Sequence, residues 1–260
     1  MANHNILVAI PCYKCAPQIK RVISKFDKAL LERLGKVMII DNGSPDDTRD
    51  SAIEAVKKNK SKKFEIFKND GNYNLGGSHK VAFNRALGEG YTHVAILHGD
   101  DQAEAQELNL LIDEIEKHPD TTILGGRFMS KSRLKGYSAI RKWGNRGLNM
   151  VFTLVSFNRT QDLGSGINIF RMEDLKDTRY LGFGNTLTFN IDLLLDYYRK
   201  KTKLKLVPIT WSEEDQVSNA RAVEIGTVAL KKLFLWRLGF SSYNKGLAEQ
   251  DYSSTRIYPK

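Results

Sequence analysis

The sequence predicts an α/β fold in which a mostly parallel sheet is flanked by helices. Short apolar runs alternate with stretches in which apolar residues recur at helical spacing. Several of these runs end in proline, glycine or acidic residues, which turn the chain. Repeated strand–helix units place parallel strands in one sheet, and ligands bind beyond the carboxyl ends of those strands. The polar loops that follow the strands are therefore candidate site residues.

The first strand–helix unit begins near the N-terminus. Ile6–Ile10 is an apolar run that Pro11 ends, and Ile19–Leu34 follows with apolar residues at helical spacing. The alternation continues as far as Gly126. Later strands are predicted at 37–40, 64–67, 92–97 and 122–124, with helices around 52–56, 78–87 and 108–115.

The second half of the chain is less regular. The basic segment Lys131–Arg146 precedes an apolar stretch at Leu148–Val155. Gly164–Phe170 then predicts a strand and Thr186–Tyr198 a helix, which would complete the domain. Val223–Phe240 is apolar and basic at once, as an amphipathic helix that lies on a surface would be.

The composition indicates a folded protein with an anionic partner. The 260 residues are 41% hydrophobic and 27% charged, which excludes a disordered chain. The net charge of +10 favours nucleic acid, an acidic membrane face or a phosphorylated small molecule as the partner. No run is long and apolar enough for a spanning helix, and the first residues lack a signal-peptide pattern. The sequence therefore predicts a cytosolic protein.

Two cysteines, Cys12 and Cys15, follow the first predicted strand. Their C-x-x-C spacing is that of a thioredoxin-type redox pair. A redox domain of that type is much shorter, and it would leave the acidic clusters at Asp41 and Asp100 unexplained. Neither of the common glycine-rich phosphate loops follows the strand either. A nucleotide would therefore have to be held by side chains.

Acidic residues follow two of the predicted strands. Asp41 opens the segment DNGSPDDT, and Asp100 lies in the segment HGDDQ after the strand at 92–97. A carboxylate beyond a strand can hold a divalent cation against a diphosphate, whereas the alternative role for each acid is to cap the next helix. Two such carboxylates suit nucleotide binding without a P-loop. One would hydrogen-bond to the base or ribose, and the other would hold a metal ion bound to the diphosphate.

These residues resemble the motifs of the family 2 glycosyltransferases of the GT-A fold, and among them the polyprenyl-phosphate sugar transferases typified by dolichyl-phosphate mannose synthase. Ile10–Tyr13 resembles the family's I-P-x-Y, and Asp41–Thr48 resembles its D-D-x-S-x-D-x-T. Asn74–Gly77 with Asn84 is similar to the N-x-G…N segment beneath the nucleotide. The segment 98–102 resembles the family's strand-end motif D-A-D-G-Q, with a histidine in place of the first acid.

The resemblance continues on the acceptor side and covers about residues 5–235. The segments that carry it follow one another in the family's order. They are Gly125–Phe128, Arg141 with Asn145, Asp162–Arg171, Val207–Ile209 and Val217–Asn219. The resemblance implies a GT-A domain at 1–222, with a nucleotide-sugar-binding half at 1–126 and an acceptor half at 127–222. Residues 223–260 would form an amphipathic basic C-terminal segment.

The resemblance also implies a reaction and the residues that perform it. A sugar would move, with inversion, from a UDP- or GDP-type nucleotide sugar to the acceptor, with Asp100 and Asp162 as the catalytic residues. Mg²⁺ or Mn²⁺ would be held by Asp100, Gln102 and His98. The nucleotide-sugar-binding residues would be Pro11, Tyr13, Asp41, Ser44, Gly76, His98 and Gly99. The acceptor-binding residues would be Arg127, Arg141 and Asn145.

The nature of the acceptor stays open at this point. A polyprenyl phosphate at the cytosolic membrane face suits the two arginines, because guanidinium groups match phosphate oxygens in paired hydrogen bonds. A family 2 enzyme that acts on a hydroxyl of a cell-surface glycan would instead use Asp162 as a general base. A nucleic-acid-binding module would show aromatic residues clustered among its cations, whereas the cations here are spread over the chain and no segment has the pattern of a recognition helix. We therefore expect a lipid-phosphate acceptor, peripheral membrane contact and no nucleic acid partner.

Overall fold

The centre of the fold is an eight-stranded sheet in a computed structural model that describes residues 4–213 and 222–259. Its strands are β1 (Ile6–Cys12), β2 (Lys36–Asp41), β3 (Phe64–Asn69), β4 (His93–Leu97), β5 (Thr122–Gly126), β7 (Ile167–Arg171), β8 (Leu204–Pro208) and β10 (Ser254–Tyr258). A small second sheet pairs β6 (Arg133–Lys135) with β9 (Thr210–Ser212). The motif segment Val217–Asn219 lies outside the described residues.

The predicted α/β fold with a mostly parallel sheet is confirmed. The strand order is β10-β3-β2-β1-β4-β7-β5-β8. β1 pairs in parallel with both β2 and β4, whereas β7 and β10 run antiparallel to their neighbours. The chain passes from β1 through β2 to β3 on one side and then returns to β4 on the other side of β1. Such a reversal of strand order opens a crevice at the carboxyl ends of the two central strands.

Helices cover both faces of the sheet. They are α1 (Ala16–Ser24), α2 (Lys28–Glu32), α3 (Thr48–Asn59), α4 (Asn74–Gly88), α5 (Leu108–Lys117), α6 (Ala139–Ser156), α7 (Phe189–Lys200), α8 (Ala222–Arg237) and α9 (Lys245–Ala248). Side chains alternate along β1, so Ile6, Val8 and Ile10 pack against α1, α2, α3 and α5. Leu7 and Ala9 pack on the opposite face, with α4 and α7. These two cores hold the crevice between them.

The first predicted helix is divided in two, which corrects the single helix expected over Ile19–Leu34. α1 ends at Ser24, and Asp27 then accepts a hydrogen bond from the Leu30 backbone N–H at 2.8 Å. An aspartate in that position caps a new helix, because it satisfies an amide that has no partner within the helix. Apolar spacing continues across the break, so the periodicity alone does not reveal it.

Other element boundaries also differ from the predicted ones. β7 begins at Ile167 rather than Gly164, because Gly164 has a φ of +148° and belongs to the preceding turn. The basic segment Lys131–Arg146, for which no element was predicted, contains β6 and the first half of α6. Ser138 caps α6 by accepting from the Arg141 backbone N–H at 3.3 Å.

The C-terminal residues contribute both a helix and a sheet strand. The helix predicted within Val223–Phe240 is present as α8, which buries Ala229 and Leu233 against α6 and α7. β10, which the sequence does not predict, pairs with β3 at the edge of the sheet. Tyr252 precedes that strand and accepts a 2.8 Å hydrogen bond from the buried Lys80 Nζ on α4. The C-terminal segment is thus attached to the central sheet.

Candidate active site

The loop after β4 lies at the crevice between β1 and β4. The His98 backbone N–H donates to Gly166 O at 2.8 Å, and the Gly99 N–H donates to Pro11 O at 3.0 Å. A Cβ at Gly99 would lie 2.5 Å from Cys12 Sγ, so only glycine fits this approach to β1. The predicted residues Pro11, His98 and Gly99 are therefore brought together by backbone contacts.

The two adjacent acids after β4 have different surroundings. Asp101 has a φ of +59°, and its carboxylate accepts from Arg21 Nε at 2.7 Å and from Lys25 Nζ at 2.8 Å on α1. Asp100 accepts only a 3.3 Å bond from the Gln102 backbone N–H among the described residues. Burial raises the pKa of the Asp100 carboxyl above its ordinary value, and the nearby His98 ring opposes the shift. Asp100 is therefore the acid that can face a ligand.

His98 supplies a neutral imidazole beside Asp100. Burial lowers the pKa of His98, and Asp100 only partly opposes this, so the ring keeps a lone pair at neutral pH. Its Nε2 is buried and has no hydrogen-bond partner among the described residues. Gln102 Nε2 is likewise buried without a partner in this part of the chain. His98 thus presents a ring nitrogen that the protein leaves unsatisfied and that could ligate a metal, whereas the Gln102 amide nitrogen is a hydrogen-bond donor and suits an oxygen of a ligand.

The donor set suits a metal that is shared with a ligand. Within residues 4–213 and 222–259, no three His, Cys, Asp or Glu side chains are close enough to hold a metal ion by themselves. Asp100 and His98 offer one carboxylate and one imidazole, and oxygen atoms of a diphosphate would supply further ligands. A carboxylate and an imidazole both suit Mn²⁺, so the residues fit such a cation.

Asp41 lies at the carboxyl end of β2, next to β1. Its buried carboxylate accepts a 3.0 Å hydrogen bond from the Ser44 backbone N–H, and Ser44 Oγ accepts from the Lys14 N–H at 3.2 Å. The loop after β2 is therefore attached to the loop after β1. Tyr13 lies in the latter loop with 45% of its surface exposed. Three predicted nucleoside contacts, Tyr13, Asp41 and Ser44, thus share one wall of the crevice.

Gly76 has a packing role that the sequence does not reveal. Its backbone N–H donates to Asn185 O at 2.7 Å, and a Cβ would lie 2.7 Å from Gly184 O. Close approach of α4 to the loop before α7 therefore requires glycine at this position. Binding of the nucleotide sugar by Gly76 stays a prediction.

The cysteine pair does not have the environment of a redox site. Cys12 and Cys15 are both free and buried. The Cys15 hydrogen bond and burial raise the pKa of the Cys12 thiol well above its ordinary value, and the carboxylates of Asp41 and Asp100 add to the shift. A redox-active thiol requires the opposite, a lowered pKa and access to solvent. The same electrostatic effect shows that both acids lie near the end of β1.

Arg127 and Asp162 form a buried ion pair on the acceptor side. The Asp162 carboxylate accepts from Arg127 Nε at 2.9 Å, from Nη2 at 2.7 Å and from the Arg127 backbone N–H at 2.8 Å. The Gly164 N–H donates to it as well, at 3.2 Å. Although burial disfavours the charged form, Asp162 keeps the pKa of Arg127 above its ordinary value. Asp162 therefore holds the guanidinium in place over the Trp211 ring, 5.0 Å away.

The other acceptor-side residues join the same cluster through α6. Arg141 Nη1 donates to Glu213, and its guanidinium lies 4.6 Å from the centre of the Tyr137 ring. Asn145 Nδ2 donates to the Tyr137 hydroxyl at 2.9 Å. Trp211 Nε1 donates to Glu213 at 3.4 Å and so connects Arg141 to the Arg127 pair. The predicted residues Arg127, Arg141, Asn145 and Asp162 are thus brought together.

Four residues that organise this site are not predicted from the sequence. Tyr137, Trp211 and Glu213 connect the acceptor-side arginines, and His79 lies next to His98 with a ring-centre separation of 5.8 Å. None of the four stands in a motif of its own. The signal in the sequence is that Trp211 and Glu213 come shortly after the strand that ends at Pro208.

The two halves of the site meet at Gly166. A Cβ there would lie 2.9 Å from His98 Nδ1 and 3.1 Å from the Trp211 ring. His98 in the predicted donor half and Trp211, which contacts the predicted acceptor residue Arg127, therefore flank one glycine.

Comparisons with known proteins agree with this arrangement. The family model for glycosyl transferase family 2 matches residues 7–179. The chain is 24% identical to the dolichyl-phosphate beta-glucosyltransferase of Saccharomyces cerevisiae, over 90% of this chain and 74% of that protein. It is 24% identical to the UDP-N-acetylglucosamine–dolichyl-phosphate N-acetylglucosaminyltransferase of Methanococcus voltae, over 92% and 98% of the two chains.

A solved structure shares the fold at low sequence identity. The glucosyl-3-phosphoglycerate synthase of Mycobacterium tuberculosis, crystallised with Mn²⁺, UDP-glucose and phosphoglyceric acid, superposes with a TM-score of 0.66. The two sequences are 14% identical, and the match covers 92% of this chain and 81% of the other. The likeness supports a GT-A fold.

Proposed function

The chain belongs to glycosyl transferase family 2, and from this we propose that it moves a sugar, with inversion, from a nucleotide diphosphate sugar to a polyprenyl phosphate at the cytosolic membrane face. Its resemblance to that family, drawn from the motifs at Ile10–Tyr13, Asp41–Thr48 and 98–102, is confirmed. The chain is accordingly a glycosyltransferase. The lipid acceptor is proposed because the names of both curated relatives contain dolichyl phosphate.

The choice of acceptor rests on the hydrogen bonds that two carboxylates, those of Asp162 and Glu213, accept from arginines. Asp162 accepts hydrogen bonds from Arg127 on both oxygens, and Glu213 is paired with Arg141. The oxygens of both carboxylates are thus occupied by N–H donors of the protein, which leaves neither carboxylate free to take a proton from an acceptor hydroxyl. A sugar hydroxyl needs a base to become a good nucleophile, whereas a phosphate monoester is already ionised at neutral pH. The cluster therefore suits a phosphate acceptor better than a hydroxyl.

The donor side supplies charge stabilisation for the leaving nucleoside diphosphate. Asp100 and His98, with Gln102, are the residues that would hold Mg²⁺ or Mn²⁺. A bound cation would neutralise charge that develops on the diphosphate. Asp41, Ser44 and Tyr13 would orient the nucleoside, since they lie together beyond β1 and β2. Acceptor oxygens held by Arg127 and Arg141 would then be directed towards the sugar near Gly166.

A transfer assay with matched acceptors tests the proposal. We expect sugar transfer from a UDP- or GDP-sugar to a short-chain polyprenyl phosphate, and none to the corresponding polyprenol or to a glycan. Thermal-shift measurements with UDP-, GDP- and dTDP-sugars, with and without Mn²⁺, would first identify the donor, because a ligand that binds only the native state raises the Tm. Transfer to a glycan hydroxyl at a higher rate than to the lipid phosphate would contradict the proposal.

The surface around α6 supports the proposed contact with a membrane, because it is basic and exposes large apolar side chains. Residues 121–161 include eight lysines and arginines and no acidic residue. The side chains that α6 and its C-terminal end direct outwards are mostly large and apolar. They are Ile140, Trp143, Met150, Leu154 and Phe157, each more than half exposed. We call this set, with Lys142 and Arg146, the α6 face.

The side chains of the α6 face suit contact with an anionic bilayer, because cations lie next to aromatic rings there. The Arg146 guanidinium lies 5.4 Å from the centre of the Trp143 ring, and Arg237 lies 5.2 Å from that of Phe157. Aromatic and aliphatic side chains beside cations are typical of a helix that lies in a lipid interface. Arg141 and Asn145 are on the same helix, so docking of α6 would bring the acceptor cluster to the lipid headgroups. No helix in the described ranges has the length and hydropathy of a membrane span.

We expect the chain to bind vesicles through the α6 face. Binding should increase with the fraction of anionic lipid and decrease with salt, since exposed charges are screened. The double variant Lys142→Glu, Arg146→Glu should lower the vesicle partition coefficient by about tenfold or more, because each cation near an anionic surface contributes about 1 kcal/mol. Co-sedimentation with phosphatidylserine-containing vesicles measures the effect.

The control for vesicle binding is Leu110→Ser on α5, which removes an apolar side chain that is also about half exposed. That variant should sediment like the wild type, whereas Trp143→Ser with Leu154→Ser should not. Equal sedimentation of all these variants would show that the α6 face contacts a protein or a second copy of the chain instead. Truncation is unsuitable here, since Tyr252 and β10 stabilise the sheet.

A further inference from the structure

His79 is a buried polar residue without an evident partner. It lies on α4 with no exposed surface, and both of its ring nitrogens lack a hydrogen-bond partner among the described residues. Phe83 and Phe189 pack around the ring at centre-to-centre distances of 6.1 and 5.4 Å. An apolar side chain would fill this position without leaving polar atoms unsatisfied. The imidazole is therefore unfavourable for packing alone.

Among the described residues, His98 supplies the polar ring that lies beside His79. The two ring centres are 5.8 Å apart with planes inclined at 53°, and His98 Nε2 also lacks a partner within the described chain. On its other side, the His98 ring lies against Gly166, where a Cβ would approach Nδ1 to 2.9 Å. The His98 ring thus lies between Gly166 and the His79 ring.

The two rings can interact through ring nitrogens that have no other partner among the described residues. A neutral imidazole has one donor nitrogen and one acceptor nitrogen. Two such rings are complementary, directly after a small rotation or through one buried water. The nitrogen that His98 shares with His79 then determines which nitrogen is left for a ligand.

We infer that His79 is a positioning residue, which fixes the tautomer and the orientation of His98 so that the His98 ring presents a lone pair beside Asp100. Residues that orient a ligating imidazole typically change metal affinity by about 10- to 100-fold when they are removed. This role rests on the proposed donor site, because the benefit to the protein is a pre-oriented ligand for the metal–diphosphate.

The test compares His79→Leu, which has a similar volume and no polar atoms, with His79→Gln, which can still hydrogen-bond. We expect His79→Leu to weaken Mn²⁺ binding in the presence of UDP by about tenfold or more, measured by electron paramagnetic resonance, while its Tm is no lower than that of the wild type. His79→Gln should recover part of the affinity. In the absence of metal, long-range ¹H–¹⁵N spectra of the imidazole rings should show a changed His98 tautomer in His79→Leu.

His93→Leu is the matched control. His93 is also buried with an unpartnered Nε2 within the described residues, but it lies at the opposite end of β4. It should leave Mn²⁺ affinity unchanged. Wild-type affinity and an unchanged His98 tautomer in His79→Leu, or an equal loss in His93→Leu, would overturn the role of His79. A wild-type chain that binds neither UDP nor Mn²⁺ would instead overturn the donor site itself, and the role of His79 with it.

Discussion

Asp100→Asn should lower kcat by about 10²- to 10³-fold and leave the protein folded, because Asp100 is the member of the adjacent pair of acids after β4 that forms no ion pair with a cation among the described residues. The side chain keeps its size and its ability to accept from the Gln102 N–H. What it loses is the charge that, in the proposed mechanism, would hold a cation against the departing diphosphate. A steady-state transfer assay with saturating donor and Mn²⁺, together with the Tm, measures both parts of the prediction.

The neighbouring acid provides a matched control. Asp101→Asn removes the same charge one residue further along the chain, and asparagine accepts the positive φ of that position well. Because Asp101 is paired with Arg21 and Lys25, we expect a lower Tm and a nearly normal kcat. Full activity of Asp100→Asn, or full activity of the wild type in EDTA, would show that the cation site lies elsewhere or that no cation is needed.

The donor half of the site could largely be predicted from the sequence. Apolar runs followed by acids show where strands end, and parallel strands place those ends at one edge of the sheet. Asp41 ends β2 and His98 comes directly after β4, and both of these strands pair with β1. The pattern could not distinguish Asp100 from Asp101, since the difference arises from one positive φ and from two cations on α1. Both depend on tertiary packing rather than on local sequence.

The helix and the long-range contacts of the proposed acceptor half could not be predicted from the sequence. α6 carries Gly144 and Gly147 and few buried apolar residues, so helical periodicity is weak there. The pairing of Arg127 with Asp162 spans 35 residues, and nothing in either local sequence requires it. β10 is short and pairs antiparallel with a strand far away in the chain. Such contacts join residues that are far apart in the chain, so they depend on the whole fold and cannot be read from local sequence patterns.

The ion pair between Arg127 and Asp162 leads to the prediction that separates the two acceptor classes. With a phosphate acceptor, Asp162→Asn should lower kcat by less than about tenfold, because the acceptor arrives ionised and needs no base. With a hydroxyl acceptor, the same change should lower kcat by about 10²- to 10⁴-fold. Each variant's free energy of unfolding must be measured as well, since breaking a buried ion pair costs about 3–5 kcal/mol.

Arg141 offers the cleaner test of phosphate binding, because its side chain is more exposed than that of Arg127. Arg141→Ala should raise the KM for polyprenyl phosphate by about 10- to 100-fold, the equivalent of a charged hydrogen bond of about 1.5–3 kcal/mol. The KM for the nucleotide sugar should stay near the wild-type value. Lys142→Ala, which removes the next cation along α6, is the control and should change neither KM in detergent solution.

Arg127 requires a paired design, because Arg127→Ala alone would leave the Asp162 carboxylate buried without its partner. The double variant Arg127→Met, Asp162→Asn removes both charges together and avoids that penalty. If Arg127 binds the acceptor phosphate and Asp162 only positions it, the double variant should raise the acceptor KM as much as Arg127→Ala and retain most of kcat. If Asp162 is instead the base of a hydroxyl-directed enzyme, the double variant and Asp162→Asn should be equally inactive, and Arg141→Ala should resemble the wild type.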